Sequence, residues 1–119
     1  MRLLDIALVA SLALASTAFG AECFAQSGGS SCLSKDAMTF VVQQHCAAHW
    51  QEPSTTYITW GNAAGTGHIG HIGAWGSPDE CVQAGTSVVD QCHGQRDGGS
   101  WTFDGKSISV SFCLWANGT

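Results

Sequence analysis

Six cysteines constrain the fold of this 119-residue sequence more than any other feature. All six follow residue 20, at Cys23, Cys32, Cys46, Cys81, Cys92 and Cys113. An even number of cysteines in a small exported chain indicates a disulfide framework, because a core of this size is marginal without cross-links. No two of them have the Cys-x2-Cys spacing that is typical of zinc sites. The sequence therefore predicts three disulfides.

Residues 1–20 have the pattern of a secretory signal peptide. Arg2 is a minimal charged segment, an apolar run follows from Leu3 to Ala15, and Ala18 and Gly20 supply the small residues of a cleavage site. The run is too short for a membrane anchor, and no later segment is long and apolar enough to span a bilayer. We therefore expect residues 21–119 to form a single secreted, extracellular domain with no stable membrane insertion.

Charged side chains are sparse. The chain has four Lys and Arg against nine Asp and Glu, which gives a net charge of −5 with histidine neutral. Proteins that bind nucleic acid or anionic membrane surfaces use clustered Lys and Arg, which this chain lacks. The sequence predicts no nucleic-acid partner, and nothing in it implies a cofactor.

Two segments begin with helix-capping signals. Ser34 is placed to cap a helix over residues 35–50, "KDAMTFVVQQHCAAHW". Ser77 begins "SPDE", which combines an N-cap, a proline in the first turn and a capping box completed by Glu80. The second helix is predicted to run to Cys92.

Four strands are predicted from β-branched, aromatic and alternating residues. They are "TTYITWG" (55–61), "HIGHIGAW" (68–75), "GGSWTF" (98–103) and "KSISVSFCLW" (106–115). The last two flank Asp104-Gly105, a dipeptide suited to a type I′ hairpin turn. With a short segment at the start, the predicted element order is β-α-β-β-α-β-β. This order predicts an α+β fold, a two-layer α/β sandwich. Its mainly antiparallel sheet of four to five strands is expected to be covered on one face by two antiparallel helices.

Helix geometry restricts the cysteine pairing. Cys81 and Cys92 lie on one predicted helix, about 16 Å apart, so they cannot bond to each other. If the two helices are antiparallel, Cys46 at the end of the first approaches Cys81 at the start of the second, and Cys92 faces Cys23. The resulting hypothesis is three pairs: Cys46–Cys81, Cys23–Cys92 and Cys32–Cys113.

The histidines suggest a metal site as one hypothesis. His45 and His49 are four residues apart on the first helix, so they share a face and could bind one Zn²⁺ or Cu²⁺. His68 and His71 are three apart on a strand, which puts them on opposite faces. His71 could join His45 and His49, because the strand passes beneath the helices. The alternative is that these histidines fill polar or half-buried places at the core margin.

Five tryptophans suggest a glycan site as a second hypothesis. Sugar sites use exposed aromatic faces together with a few polar groups. We expect Trp60, Trp75 or Trp115 to be exposed and to contribute to such a site, with two of the five tryptophans in the core. Trp101 and Phe103 are predicted to share one face of a strand.

Enzymatic activity is not expected. The sequence has no Gly-x-Ser-x-Gly nucleophile motif, and no cysteine is left as a nucleophile when all six pair. Glu52, His93 and Arg96 could be assembled into a ribonuclease-like set, but a chain with five histidines supplies such combinations easily.

Several stretches resemble the KP-four-type killer toxins of smut viruses and related small secreted fungal proteins. They are "GGSSCLSKDAMTFVVQQHC", "GTGHIGHIGAW", "CVQAGTSVVDQC" and "GGSWTFDGKSISVSFC". The resemblance implies an exported fungal α/β-sandwich without enzymatic activity. The type toxin is basic and acts on calcium channels through an exposed lysine, whereas this chain is acidic and neither Lys35 nor Lys106 matches that position.

A looser resemblance links the chain to small mushroom glycan-binding proteins. It rests on "CVQAGTSVVDQC" followed by "GG" and a hairpin that carries tryptophan. The function predicted first is a secreted, cysteine-rich, non-enzymatic effector or killer-toxin-like protein that acts on an extracellular host or competitor protein. The alternative is a lectin-like protein that binds a cell-surface glycan, and a histidine-based metal-binding protein is the third possibility.

Overall fold

The computed structural model describes residues 20–25, 28–62 and 65–114. Its elements are β1 (Glu22–Cys23), α1 (Lys35–His49), β2 (Ile58–Asn62), β3 (Gly65–Ile72), α2 (Pro78–Cys92), β4 (Gly98–Phe103) and β5 (Lys106–Ser111). The predicted signal peptide lies outside these residues apart from Gly20. No helix in the described ranges is long and apolar enough to cross a membrane.

The five strands form one sheet in the order β1-β4-β5-β3-β2, and every neighbouring pair is antiparallel. The predicted α+β fold is therefore confirmed, with β1 as the fifth strand. β2 begins at Ile58, three residues later than predicted, and β3 extends from Gly65 to Ile72 rather than from His68 to Trp75.

Both helices begin where the capping residues predicted. The Ser34 hydroxyl accepts a hydrogen bond from the Ala37 backbone N–H, and Ser77 accepts one from Glu80 N–H, each at 3.1 Å. These bonds satisfy backbone donors that the first turn of a helix leaves unpaired. The local sequence thus sets the helix starts.

The β4–β5 hairpin turns at Asp104 and Gly105, as predicted. Their φ angles are 53° and 78°, and Phe103 pairs with Lys106 across the turn. Two consecutive residues with positive φ define the type I′ geometry, which suits the right-handed twist of the strands. The hairpin therefore fixes the register that places Trp101 opposite Ile108.

The two helices lie on the same face of the sheet. On β3 a methyl group at Gly67 would come within 2.7 Å of Met38 Sδ on α1, so the missing side chain lets that helix approach. On α2 a methyl at Gly85 would lie 2.6 Å from a Val42 methyl of α1. The largest buried apolar side chains fill the space between helices and sheet: Phe112, Met38, Ile69, Ile108, Val42, Val88, Val89 and Val110.

Three disulfides cross-link the fold, and their pairs are the ones hypothesised above. Cys23 is bonded to Cys92, Cys32 to Cys113, and Cys46 to Cys81. The Cys46–Cys81 bond links the end of α1 to the start of α2. The helices are therefore antiparallel, as predicted.

Candidate functional site

The tryptophans differ from the expectation of exposed stacking residues. Trp75 is only 3% exposed, so its predicted exposure is wrong. Trp60 is half-buried on β2, at the edge of the sheet farthest from β1. Trp115 lies outside the described residues, and its role stays a prediction.

A groove lies between α2 and β4 in the described part of the chain, and we call it the α2 groove. Its volume is about 690 Å³, within the range of small-ligand sites. It is lined by three aromatic side chains and by one side of α2: Trp75, Trp101, Phe103, Glu80, Val82, Gln83, Ala84, Thr86, Ser87 and Asp90. The combination of aromatic rings with a few hydroxyl, amide and carboxylate groups is typical of sites that bind saccharides.

The strand pairing places part of β4 beside the groove. In the described residues the β1 ladder pairs with Gly99 and Ser100, so Trp101 and Phe103 lie beyond the last paired residue of β1. They are two residues apart and face the helix side, where Trp101 is half-buried and Phe103 is 37% exposed. Phe103 is therefore the more exposed of these two aromatic side chains.

One end of the groove is held by Lys106, Glu80 and Trp75. The Lys106 ammonium lies 3.0 Å from Glu80 Oε1 and 5.3 Å from the centre of the Trp75 ring. Glu80 Oε1 also accepts the Gly76 backbone N–H at 2.7 Å. This N–H, and after it the Lys106 ammonium, holds the pKa of Glu80 below its usual value.

At the other end Asp90 pairs with Lys35 of α1 at 3.4 Å. Both side chains are more than half exposed, so solvent screens their interaction and it contributes little to stability. A ligand hydroxyl can compete for Asp90 at small cost.

The three histidines proposed as metal ligands are brought together, but as a chain of hydrogen bonds. His71 Nε2 lies 2.9 Å from the Glu52 backbone oxygen, and His71 Nδ1 lies 2.9 Å from His45 Nε2. A carbonyl oxygen only accepts, so His71 Nε2 donates, His71 Nδ1 accepts, and His45 Nε2 donates to it. His49 Nδ1 is paired with Glu52 Oε2 at 2.5 Å.

These hydrogen bonds contradict the hypothesis of a three-histidine metal site. Neither nitrogen of His71 keeps a lone pair for a metal ion, since one donates and the other accepts from His45. Among the residues that the structure describes, no group of three or more His, Cys, Asp or Glu side chains could hold a metal ion. His68 lies on the opposite face from His71, as predicted, where its Nδ1 is 3.1 Å from Thr59 Oγ1.

The buried histidine is electrostatically unusual. His45 is 0% exposed, and its Nδ1 has no hydrogen-bond partner among the described residues. Burial, followed by the charges of His71 and His49, lowers the pKa of His45 to about 4, against the smaller opposing effect of Glu52. His45 is therefore neutral at physiological pH.

The ribonuclease-like set is not assembled. Glu52 follows α1 and pairs with His49. His93 and Arg96 follow α2 at the opposite end of the helix layer, where His93 Nε2 donates to the Leu33 backbone oxygen at 2.8 Å. The structure gives no support to a catalytic site formed by these three residues.

A family model decides between the two resemblances drawn from the sequence. The model of the alpha-galactosyl binding lectins matches residues 33–115, which include both helices, strands β2 to β5 and the whole α2 groove. The chain belongs to the alpha-galactosyl binding lectin family. The looser resemblance, to mushroom glycan-binding proteins, is thus supported, and nothing supports the killer-toxin assignment.

Other comparisons with known proteins are distant. A solved structure that matches this lectin-family chain is the tandem DUF26 ectodomain of the Arabidopsis thaliana cysteine-rich receptor-like protein PDLP8. The identity is 12%, the TM-score is 0.33, and the match covers 78% of this chain and 43% of that one. The chain thus spans less than half the length of that structure, and a similarity this distant does not bear on function. No curated protein matches the chain.

The sequence contains one signal for the groove. "WTF" predicts that Trp101 and Phe103 share one face of β4, but it does not show that a groove lies there. The length of β1 is not evident from the sequence, and in the described residues a short β1 leaves this part of β4 beyond the paired residues. Phe103 on β4 is thus an exposed aromatic residue of the groove, whereas Trp60 on β2 is half-buried.

Proposed function

We propose that this protein is an extracellular lectin that binds saccharides ending in α-linked galactose in the α2 groove. The observation that carries the proposal is the match of residues 33–115 to the alpha-galactosyl binding lectins. The groove supports it because Trp101 and Phe103 offer aromatic surface beside the polar side chains of Gln83 and Thr86. The three disulfides support an exported protein, since such bonds persist in oxidising compartments.

The chemistry of galactose suits such a groove. Its axial C4 hydroxyl leaves the C–H groups of one ring face contiguous, and this apolar face can stack on an aromatic ring. The Thr86 hydroxyl and the Gln83 amide both donate and accept hydrogen bonds, as sugar hydroxyls do. The protein is proposed to act by binding alone, without catalysis.

The proposal is tested by calorimetric titration with two monosaccharides that differ at C4. Methyl α-D-galactopyranoside is expected to bind, and methyl α-D-glucopyranoside to bind more weakly. The Phe103→Ala variant should weaken galactoside binding about tenfold, because it removes one stacking face. Phe40→Ala is the matched control, since Phe40 is a 55% exposed aromatic residue on α1 outside the groove.

The results separate the possibilities. Loss of affinity in Phe103→Ala with no loss in Phe40→Ala supports binding in the groove. If both variants bind galactoside as tightly as the wild type, the sugar binds elsewhere on the protein. Absence of galactoside binding by the wild-type protein would contradict the proposed function itself.

A further inference from the structure

The two carboxylate oxygens of Glu80 have different surroundings. Oε1 accepts both the Gly76 backbone N–H and the Lys106 ammonium, at 2.7 and 3.0 Å. Oε2 makes no hydrogen bond with any residue of the described part of the chain. The Glu80 side chain lines the α2 groove and is 36% exposed. One oxygen is therefore committed to the protein, and the other is accessible to a ligand.

We propose that Glu80 Oε2 accepts a hydrogen bond from a sugar hydroxyl in the α2 groove and makes the site selective for uncharged saccharides. This inference rests on the proposed lectin function and adds the residue that sets its specificity. Sugar hydroxyls donate hydrogen bonds, and an ionised carboxylate only accepts them. Bonds of this kind to a charged acceptor are stronger than those between neutral groups.

The groups that hold Oε1 also fix where Oε2 lies. With two donors on Oε1, the carboxylate has little freedom to turn. Lys106 is 15% exposed, and its ammonium also lies over the Trp75 ring. The sugar-binding oxygen is therefore positioned before a ligand arrives, which reduces the entropy that binding must overcome.

Helix capping involves only one of the two carboxylate oxygens of Glu80. Glu80 is the third residue of α2, and its Oε1 reaches back to Gly76 N–H while Ser77 caps Glu80 N–H. This reciprocal pair resembles a capping box, shifted by one residue from the usual bond to the N-cap N–H. Capping uses Oε1 alone. A role in capping only would therefore tolerate glutamine at this position.

Charge at the two ends of the groove gives the expected selectivity. Glu80 and Asp90 are ten residues apart on α2, about 15 Å along its axis. An anionic sugar would place its carboxylate beside these two carboxylates, whose partners Lys106 and Lys35 are already engaged. Juxtaposed like charges oppose binding, whereas a neutral sugar has no charge to be repelled.

The test uses Glu80→Gln, which changes one atom in the groove. Its amide oxygen can keep the bonds to Gly76 and Lys106, so the amide NH₂ then takes the position of Oε2. A donor thereby replaces an acceptor with almost no change in shape. Asp79→Asn is the matched control, because it removes the same charge from the same helical turn outside the groove.

The measurement is calorimetric titration with a neutral and an anionic probe. The probes are methyl α-D-galactopyranoside and the corresponding 6-carboxylate, methyl α-D-galactopyranosiduronate. The wild type should bind the neutral probe more tightly. Glu80→Gln should weaken neutral binding about tenfold or more and narrow the difference between the probes, whereas Asp79→Asn should do neither. Thermal unfolding of each variant shows whether it is folded.

A second variant checks the positioning of the carboxylate. Lys106→Met removes the ammonium from Oε1 and should weaken neutral binding, while Lys106→Arg keeps the charge and should largely preserve it. If Glu80→Gln and Lys106→Met bind the neutral probe as the wild type does, the inference is overturned and Glu80 only caps α2. Failure of the wild type to bind either probe would instead overturn the lectin function.

Discussion

Acid should destabilise this protein because His45 is buried in its neutral form. His45 is 0% exposed, donates through Nε2 to His71, and has an Nδ1 without a partner among the described residues. A second proton would have to go onto that Nδ1, which would place a charge in the core beside two other imidazoles. In the unfolded chain the same imidazole takes up a proton freely.

The size of the effect follows from the two pKa values. The pKa of His45 is about 4 in the folded protein and 6.5 as the reference value. Between these pH values the unfolded state binds more protons, so the free energy of unfolding falls as the pH is lowered. The interval is about 2.5 pH units, and about 1.4 kcal/mol per unit gives a loss of about 3 kcal/mol between pH 6.5 and 4.

The assay is urea unfolding at several pH values from 7.5 to 4, in the wild type and in His45→Gln. Glutamine can still donate to His71 Nδ1 but does not titrate, so this variant removes the His45 contribution to the slope. All other side chains are shared by the two proteins, so the difference between their slopes reports the loss of His45. Equal slopes of unfolding free energy against pH in the two proteins would show that His45 does not cause the acid sensitivity.

Two further predictions concern the packing and the cross-links. Gly85→Ala should lower the free energy of unfolding by about 1–3 kcal/mol despite the better helix propensity of alanine, because its methyl would lie 2.6 Å from a Val42 methyl. Denaturant unfolding should show a smaller loss of stability for the control Gly61→Ala, whose methyl meets nothing closer than 3.5 Å. Replacing Cys23 and Cys92 by serine opens a loop with a sequence separation of 69 and should lower the free energy of unfolding by about 4 kcal/mol. An unchanged urea midpoint in the serine variant would contradict the second expectation.

The fold was predictable where short stretches carry their own geometry. Ser34 and Ser77 start helices because their hydroxyls satisfy nearby backbone N–H groups. Asp104 and Gly105 adopt the positive φ angles that a type I′ turn requires. The length of α2 keeps Cys81 from bonding to Cys92. With antiparallel helices, Cys46 meets Cys81, Cys92 meets Cys23, and Cys32 and Cys113 are the remaining pair.

The site was harder to predict because burial and edge exposure depend on distant parts of the chain. Trp75 is buried where its backbone N–H reaches the Trp50 carbonyl oxygen at 2.8 Å and Lys106 covers its ring. Both partners are far from Trp75 in sequence. His45 and His71 were correctly placed near each other, yet the sequence could not show that their nitrogens bond to one another and not to a metal.

Galactoside binding in the α2 groove is tested most directly by a ¹H–¹⁵N NMR titration of the disulfide-bonded protein with methyl α-D-galactopyranoside. The shift changes are expected to cluster on α2 and β4, at Thr86, Phe103 and the Trp101 indole N–H. This expectation would be contradicted by an unchanged spectrum. It would also be contradicted by changes confined to the opposite face of the sheet, around Tyr57 and His68.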